Sequence, residues 1–170
     1  MKYIISIPFI FILYVFRIIG STFVFIGRIF YNIFEKKCKH SIEDIVAITY
    51  YSEEWPELVA FTLYYDEKYY PKYLKKLESD PMISKKNFDY LLDKIKKNNI
   101  LKMKKYILDW PYVSLSEYFS WYFACDAGPT TQSLTLHFSN GEIKHITGYS
   151  KEMDNMRKAF EKILPRENFW

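Results

Sequence analysis

Residues 3–34 read YIISIPFIFILYVFRIIGSTFVFIGRIFYNIF, with no acidic side chain and two formal charges, Arg17 and Arg28. A run this apolar must be buried, in a protein core or in lipid. As a helix rising 1.5 Å per residue it would reach roughly 48 Å, against ~30 Å of bilayer hydrocarbon. At 100° per residue, Ser6, Arg17, Ser21, Arg28 and Glu35 fall within about 60° of one another. Gly20 and Gly27 flank that stripe. A narrow line of polar and small residues on an otherwise apolar helix is the pattern of a membrane helix with a packing seam, because small residues let two backbones approach closely. The expectation is a retained, single-pass transmembrane anchor that self-associates along Arg17, Gly20, Ser21, Gly27 and Arg28, with Arg28 snorkelling to an interface and Arg17 facing a partner helix or water.

Two other readings fit this segment less well. A cleaved signal peptide would use Tyr3 to Phe16 as its apolar region, but no small-residue cleavage site follows and Arg17 interrupts. An interfacial helix would need a broad charged face, which is missing. Lys36, Lys37 and Lys39 follow the span, against Lys2 before it, so the positive-inside rule places the remaining chain on the cytoplasmic side. Cys38 lies among those lysines, where acylation is chemically available, and a free, unmodified thiol is the preferred expectation.

Charge is distributed in blocks. Residues 1–40 carry +5, residues 41–66 carry −6, residues 67–105 carry +7 and the remainder carries −2, for a net +4. The basic middle is expected to be a solvated helix face, with anionic lipid headgroups as the sharper partner. Nucleic acid is not expected as a partner, since the bases are nearly all lysine and no recognition motif accompanies them. The two cysteines, Cys38 and Cys125, form neither a disulfide framework nor a metal-ligand spacing.

Beyond residue 40 the hydrophobic period changes. IEDIVAITYYS and ELVAFTLYYDE are rich in β-branched and aromatic residues, apolar on both faces, and separated by a WPE turn, so they predict two antiparallel strands. In SKKNFDYLLDKIKKNN the positions Phe88, Leu91, Leu92 and Ile95 follow helical spacing behind a candidate cap, Ser84. EYFSWYFAC predicts a central strand. In SLTLHFSNGEIKHITGY, Asn140 and Gly141 suit a two-residue type I′ turn. That register pairs Phe138 with Ile143, Leu136 with His145 and Leu134 with Thr147. It puts His137 and His145 on opposite faces. A last helix, SKEMDNMRKAFEKIL, is capped by Ser150, buries Met153, Met156, Phe160, Ile163 and Leu164, and stops at Pro165. The fold class is therefore α+β: residues 1–40 form an N-terminal transmembrane anchor with a basic flank, and residues 41–170 form one domain with a largely antiparallel sheet of four or five strands packed with two main helices.

Signals for chemistry are sparse. GxGxxG, GxxxxGK[ST], HExxH and GxSxG are absent, and the three histidines have no metal-ligand spacing. No cofactor and no metal is expected. The stretch CDAGPTTQS is a candidate polar loop, with Asp126 and His137 as its titratable members. The reading preferred from sequence is a membrane-anchored, non-enzymatic binding module with a protein partner, of regulatory or immunity type. The alternative is a membrane-tethered hydrolase with a site around Cys125, Asp126 and His137. From Asp126 to Tyr149, with "LTLHFSNGEIKHITGY" and the following helix ending "KILPRENFW", the chain resembles uncharacterised bacterial domains of unknown function. These pair an aspartate-led hairpin, a lysine after the turn and a Gly-Tyr exit with a C-terminal helix. That resemblance implies an α+β fold and transfers no catalytic residue.

Overall fold

The computed structural model describes residues 6–54, 57–74, 80–107 and 131–164; the side chains of Arg17 and Ser21 are not among those described. The chain divides into two units, residues 1–36 and 37–170. The first is a single helix, α1 (Ser6–Phe34). Among the described residues no helix is long and apolar enough to cross a membrane, so the transmembrane assignment of residues 3–34 rests on the sequence. Gly20, Gly27 and Arg28 are exposed on α1, and nothing approaches within 4 Å of a Cβ built on either glycine.

The second unit is an α+β domain. Its strands are β1 (Ile45–Glu54), β2 (Glu57–Tyr64), β3 (Thr131–Phe138) and β4 (Ile143–Thr147). They form one antiparallel sheet in the order β2-β1-β3-β4. The two helices covering it are α2 (Lys85–Lys97) and α3 (Lys151–Ile163). Both start where the sequence predicts, because Ser84 Oγ accepts the Asn87 N–H and Ser150 Oγ accepts the Met153 N–H, each at 3.2 Å.

Strand alternation sends Ile48, Tyr50, Phe61, Leu63, Leu134 and Leu136 to one face, where they are all but fully buried. Phe88, Leu91 and Ile95 of α2 and Met153, Met156 and Phe160 of α3 close over them. Phe160 sits 5.0 Å from the Tyr50 ring and 5.7 Å, edge-on, from Phe61. Burying each large apolar side chain contributes roughly 1.5–3 kcal/mol, so this layer supplies most of the driving force. Cys38 is half-buried against the same core, a setting that competes with acylation.

The hairpin differs from expectation by one residue. His137 pairs with Ile143, Thr135 with His145, Leu136 with Lys144 and Leu134 with Ile146. The loop is Ser139-Asn140-Gly141, closed by Phe138 N–H to Glu142 O at 3.0 Å and Gly141 N–H to Phe138 O at 2.9 Å. Gly141 alone takes a positive φ, +86°, whereas a type I′ turn needs positive φ at Asn140 as well. Asn140 instead accepts the Glu142 N–H on its side-chain oxygen. The three-residue loop slips the register by one, and a slip of one moves every β4 side chain to the other face. Ile146 therefore enters the core, and His145 leaves it to join His137.

The second face of the sheet also departs from the sequence reading. It was expected to be apolar; it carries Thr49, Thr62, Thr135, His137 and His145. Each edge strand is met at its C-terminal end by an irregular segment through one isolated bridge, Tyr64 with Met82 and Thr147 with Tyr106. Ile83 N–H bonds to Tyr64 O on the β2 side, and Ile107 N–H bonds to Thr147 O on the β4 side, each at 2.9 Å. The strand predicted over EYFSWYFAC and the loop residues CDAGPT lie outside the described residues.

Candidate functional site

The polar face gathers the titratable groups. His137 projects from the C-terminal end of β3, between β1 and β4, and is 3% exposed. Its Nε2 lies 2.7 Å from Thr49 Oγ1, its Nδ1 lies 2.5 Å from the Tyr73 hydroxyl, and Thr49 Oγ1 lies 2.9 Å from Thr62 Oγ1. One ordering satisfies each contact: Tyr73 O–H donates to Nδ1, Nε2–H donates to Thr49, and Thr49 O–H donates to Thr62. The reversed ordering serves equally well. Burial pushes the His137 pKa down to about 4, so the ring is neutral at pH 7. Burial likewise pushes the Tyr73 phenol up, which keeps it protonated and able to donate.

A second group adjoins this chain at the β2 edge. Asp80 is buried, accepts the Thr62 backbone N–H on Oδ1 at 2.7 Å and accepts the Tyr70 hydroxyl on Oδ2 at 2.6 Å. Burial, then the bond to Asp80, pushes the Tyr70 phenol up. Together Tyr70, Tyr73 and Asp80 strap the segment after β2 back onto the sheet. His145 stands two residues along β4 from the partner of His137, half-buried, with Nδ1 2.8 Å from Thr135 Oγ1. Its pKa is lowered by burial and then by Lys105.

Chemically this arrangement is closed. A general base needs a free nitrogen within reach of a substrate proton, and both His137 nitrogens are occupied. Tyr73 is the only member of the chain turned well out to solvent, at 56% exposed. Cys125 and Asp126, the other two members of the hydrolase expectation, lie outside the described residues. His137 and His145 do share a face, contrary to expectation, yet among the described residues no cluster of three or more His, Cys, Asp or Glu could hold a metal ion. The sequence reading missed Tyr70, Tyr73, Asp80 and Thr49. Nothing local signals them, because the network joins positions 10 to 88 residues apart.

On the opposite side of the domain, α2 and α3 leave a groove lined by Tyr90, Lys94, Lys97, Asn98, Asn155, Lys158 and Ala159. Lys94 and Lys97 of the basic middle line it together with Lys158 of the last helix. No protein-family model, curated protein or solved structure matches this chain.

Proposed function

We propose that the chain is a membrane-anchored, non-enzymatic binding module: residues 3–34 span a bilayer once and present the α+β domain at its cytoplasmic surface to a protein partner. The observation that carries this reading is the sequence of residues 3–34, which holds no acid and two bases. As one helix rising 1.5 Å per residue that run would reach roughly 48 Å, against ~30 Å of bilayer hydrocarbon. Lys36, Lys37 and Lys39 behind it favour the cytoplasmic side for the domain. Arg17, Gly20, Ser21, Gly27 and Arg28 are the seam through which two copies of the helix would associate. The closed hydrogen-bond chain around His137 favours a structural role for that histidine.

Fractionation tests the reading. Protein recovered from cells should begin at or near Met1 and stay with membranes through a high-salt or carbonate wash. Release by carbonate, or a mature form starting within residues 20–40, would overturn it.

A further inference from the structure

Helices α2 and α3 pack antiparallel: Asn155 donates to Asn98 at 2.9 Å near one end, and Lys162 reaches Tyr90 toward the other. The groove between their outer edges encloses about 300 Å³. Lysines enter it from both walls: Lys94 and Lys97, four and seven residues after Tyr90, line one, and Lys158, three residues after Asn155, lines the other. Lys162, one turn further along α3, stands outside the lining and reaches the Tyr90 ring. Lys97 pairs with Asp93 at 2.7 Å, an exposed pair that water and salt weaken, and Lys158 pairs with the half-buried Asp154 at 2.8 Å. Lys94 and Lys162 are different. They lie 5.3 Å and 5.4 Å from the centroid of the same Tyr90 ring, and among the described residues neither has a carboxylate partner. Two cations are thus held on one aromatic ring with their charge unneutralised.

We infer that the α2/α3 groove is a docking face for anionic phospholipid headgroups, whose phosphates take up the charge of Lys94 and Lys162. The inference rests on the anchor reading above. Residues 35–44 between α1 and β1 reach at most about 35 Å, so an anchored domain is held at high effective concentration beside headgroups. The groove cations are all lysine, compact charges that suit the diffuse field of a headgroup layer; base-edge readout favours the planar fork of arginine. Tyr90, flanked by two ammonium groups, is also poorly placed to stack on a base.

The full chain, reconstituted in nanodiscs of neutral phosphatidylcholine and of the same lipid with phosphatidylglycerol, tests this by lysine acetylation read by mass spectrometry. In anionic discs Lys94, Lys97, Lys158 and Lys162 should acetylate several-fold more slowly than in neutral discs. Lys85 and Lys96, on the other flank of α2, should change little, and high salt should erase the difference. Each lysine near the surface is worth about fivefold in binding, so Lys94→Gln with Lys162→Gln should weaken docking about 25-fold and remove the protection of Lys97 and Lys158. An unchanged melting temperature shows that this variant is folded. Equal reactivity in both discs, with the chain still co-eluting in high salt, overturns the docking face and leaves the anchor standing. Co-elution with anionic discs only, lost in high salt, keeps the docking face and refutes the anchor; co-elution with neither refutes both. Stronger protection of these lysines by an RNA or DNA oligonucleotide than by anionic discs would also overturn the inference.

Discussion

Lowering the pH from 7 to 4 should destabilise the α+β domain by about 3 kcal/mol through His137 alone. The residue is 3% exposed and burial holds its pKa at about 4, against an ordinary value of 6.5. The fold favours the neutral form, so between these two values the unfolded chain binds more protons than the native one. Stability contributed by this group is fully present above pH 6.5 and is lost as the pH falls through about 4, with a slope of up to about 1.4 kcal/mol per pH unit. The carboxylates of Glu43, Asp44, Asp66, Glu142 and Asp154 are held below their ordinary values, chiefly by hydrogen bonds, so they withdraw stability only at lower pH. His145 shares the window, and comparison with His137→Gln subtracts it. Urea unfolding of the full chain in detergent, followed by the near-ultraviolet tyrosine signal between pH 7 and 4.5, gives the slope, and histidine-detected NMR gives the pKa directly. If His137 titrates near 6.5, or if His137→Gln retains the parent slope, the buried neutral imidazole is not the source.

Four other outcomes follow from the packing and the helix seam. Leu136→Asp, at a fully buried position between Ile48 and Lys144, should prevent folding of the domain by placing an unpaired charge in the core, which loss of the tyrosine signal would report. Gly148→Ala should cost well over the ~1 kcal/mol expected for Gly141→Ala. Both glycines have positive φ, but a Cβ at Gly148 would lie 2.8 Å from Ile107 Cβ whereas at Gly141 it meets open space; equal melting temperatures would refute this. Tyr73→Phe should lose about 1 kcal/mol by leaving His137 Nδ1 without its hydroxyl partner, measured by the same urea titration. Gly20→Leu or Gly27→Leu should weaken self-association in lipid while Phe25→Leu does little. Cysteine cross-links scanned along residues 13–32, in a background lacking Cys38 and Cys125, should peak at positions 17, 20, 24, 27 and 28; a flat profile would remove the seam.

Local chemistry determined much of this domain before any tertiary contact. Ser84 and Ser150 cap α2 and α3, and the apolar spacing behind each cap is the spacing that packs on the sheet, because a helix start and its buried stripe depend on residues within a few turns. The β1 and β2 strands and the position of the hairpin were equally legible, since β-branched and aromatic runs and an Asn-Gly pair act over short range. Register was decided elsewhere. Asn-Gly suits both a two-residue and a three-residue loop, and the choice that buries Ile146 opposite Leu134 depends on the core that β4 completes. The partner of β1 on its other side, β3, lies about eighty residues away, and no local signal encodes that pairing. The same holds for His137. Its sequence neighbours suggested an active-site loop; the fold surrounds it with Thr49 and Tyr73 from distant segments and so fixes its neutral state. The lysines of residues 85–105 and of the last helix were visible as charge runs, but only the antiparallel packing of α2 against α3 brings Lys94 and Lys162 to the same tyrosine ring. Periodicity sets which side of a helix a residue occupies; the tertiary fold sets what that side faces.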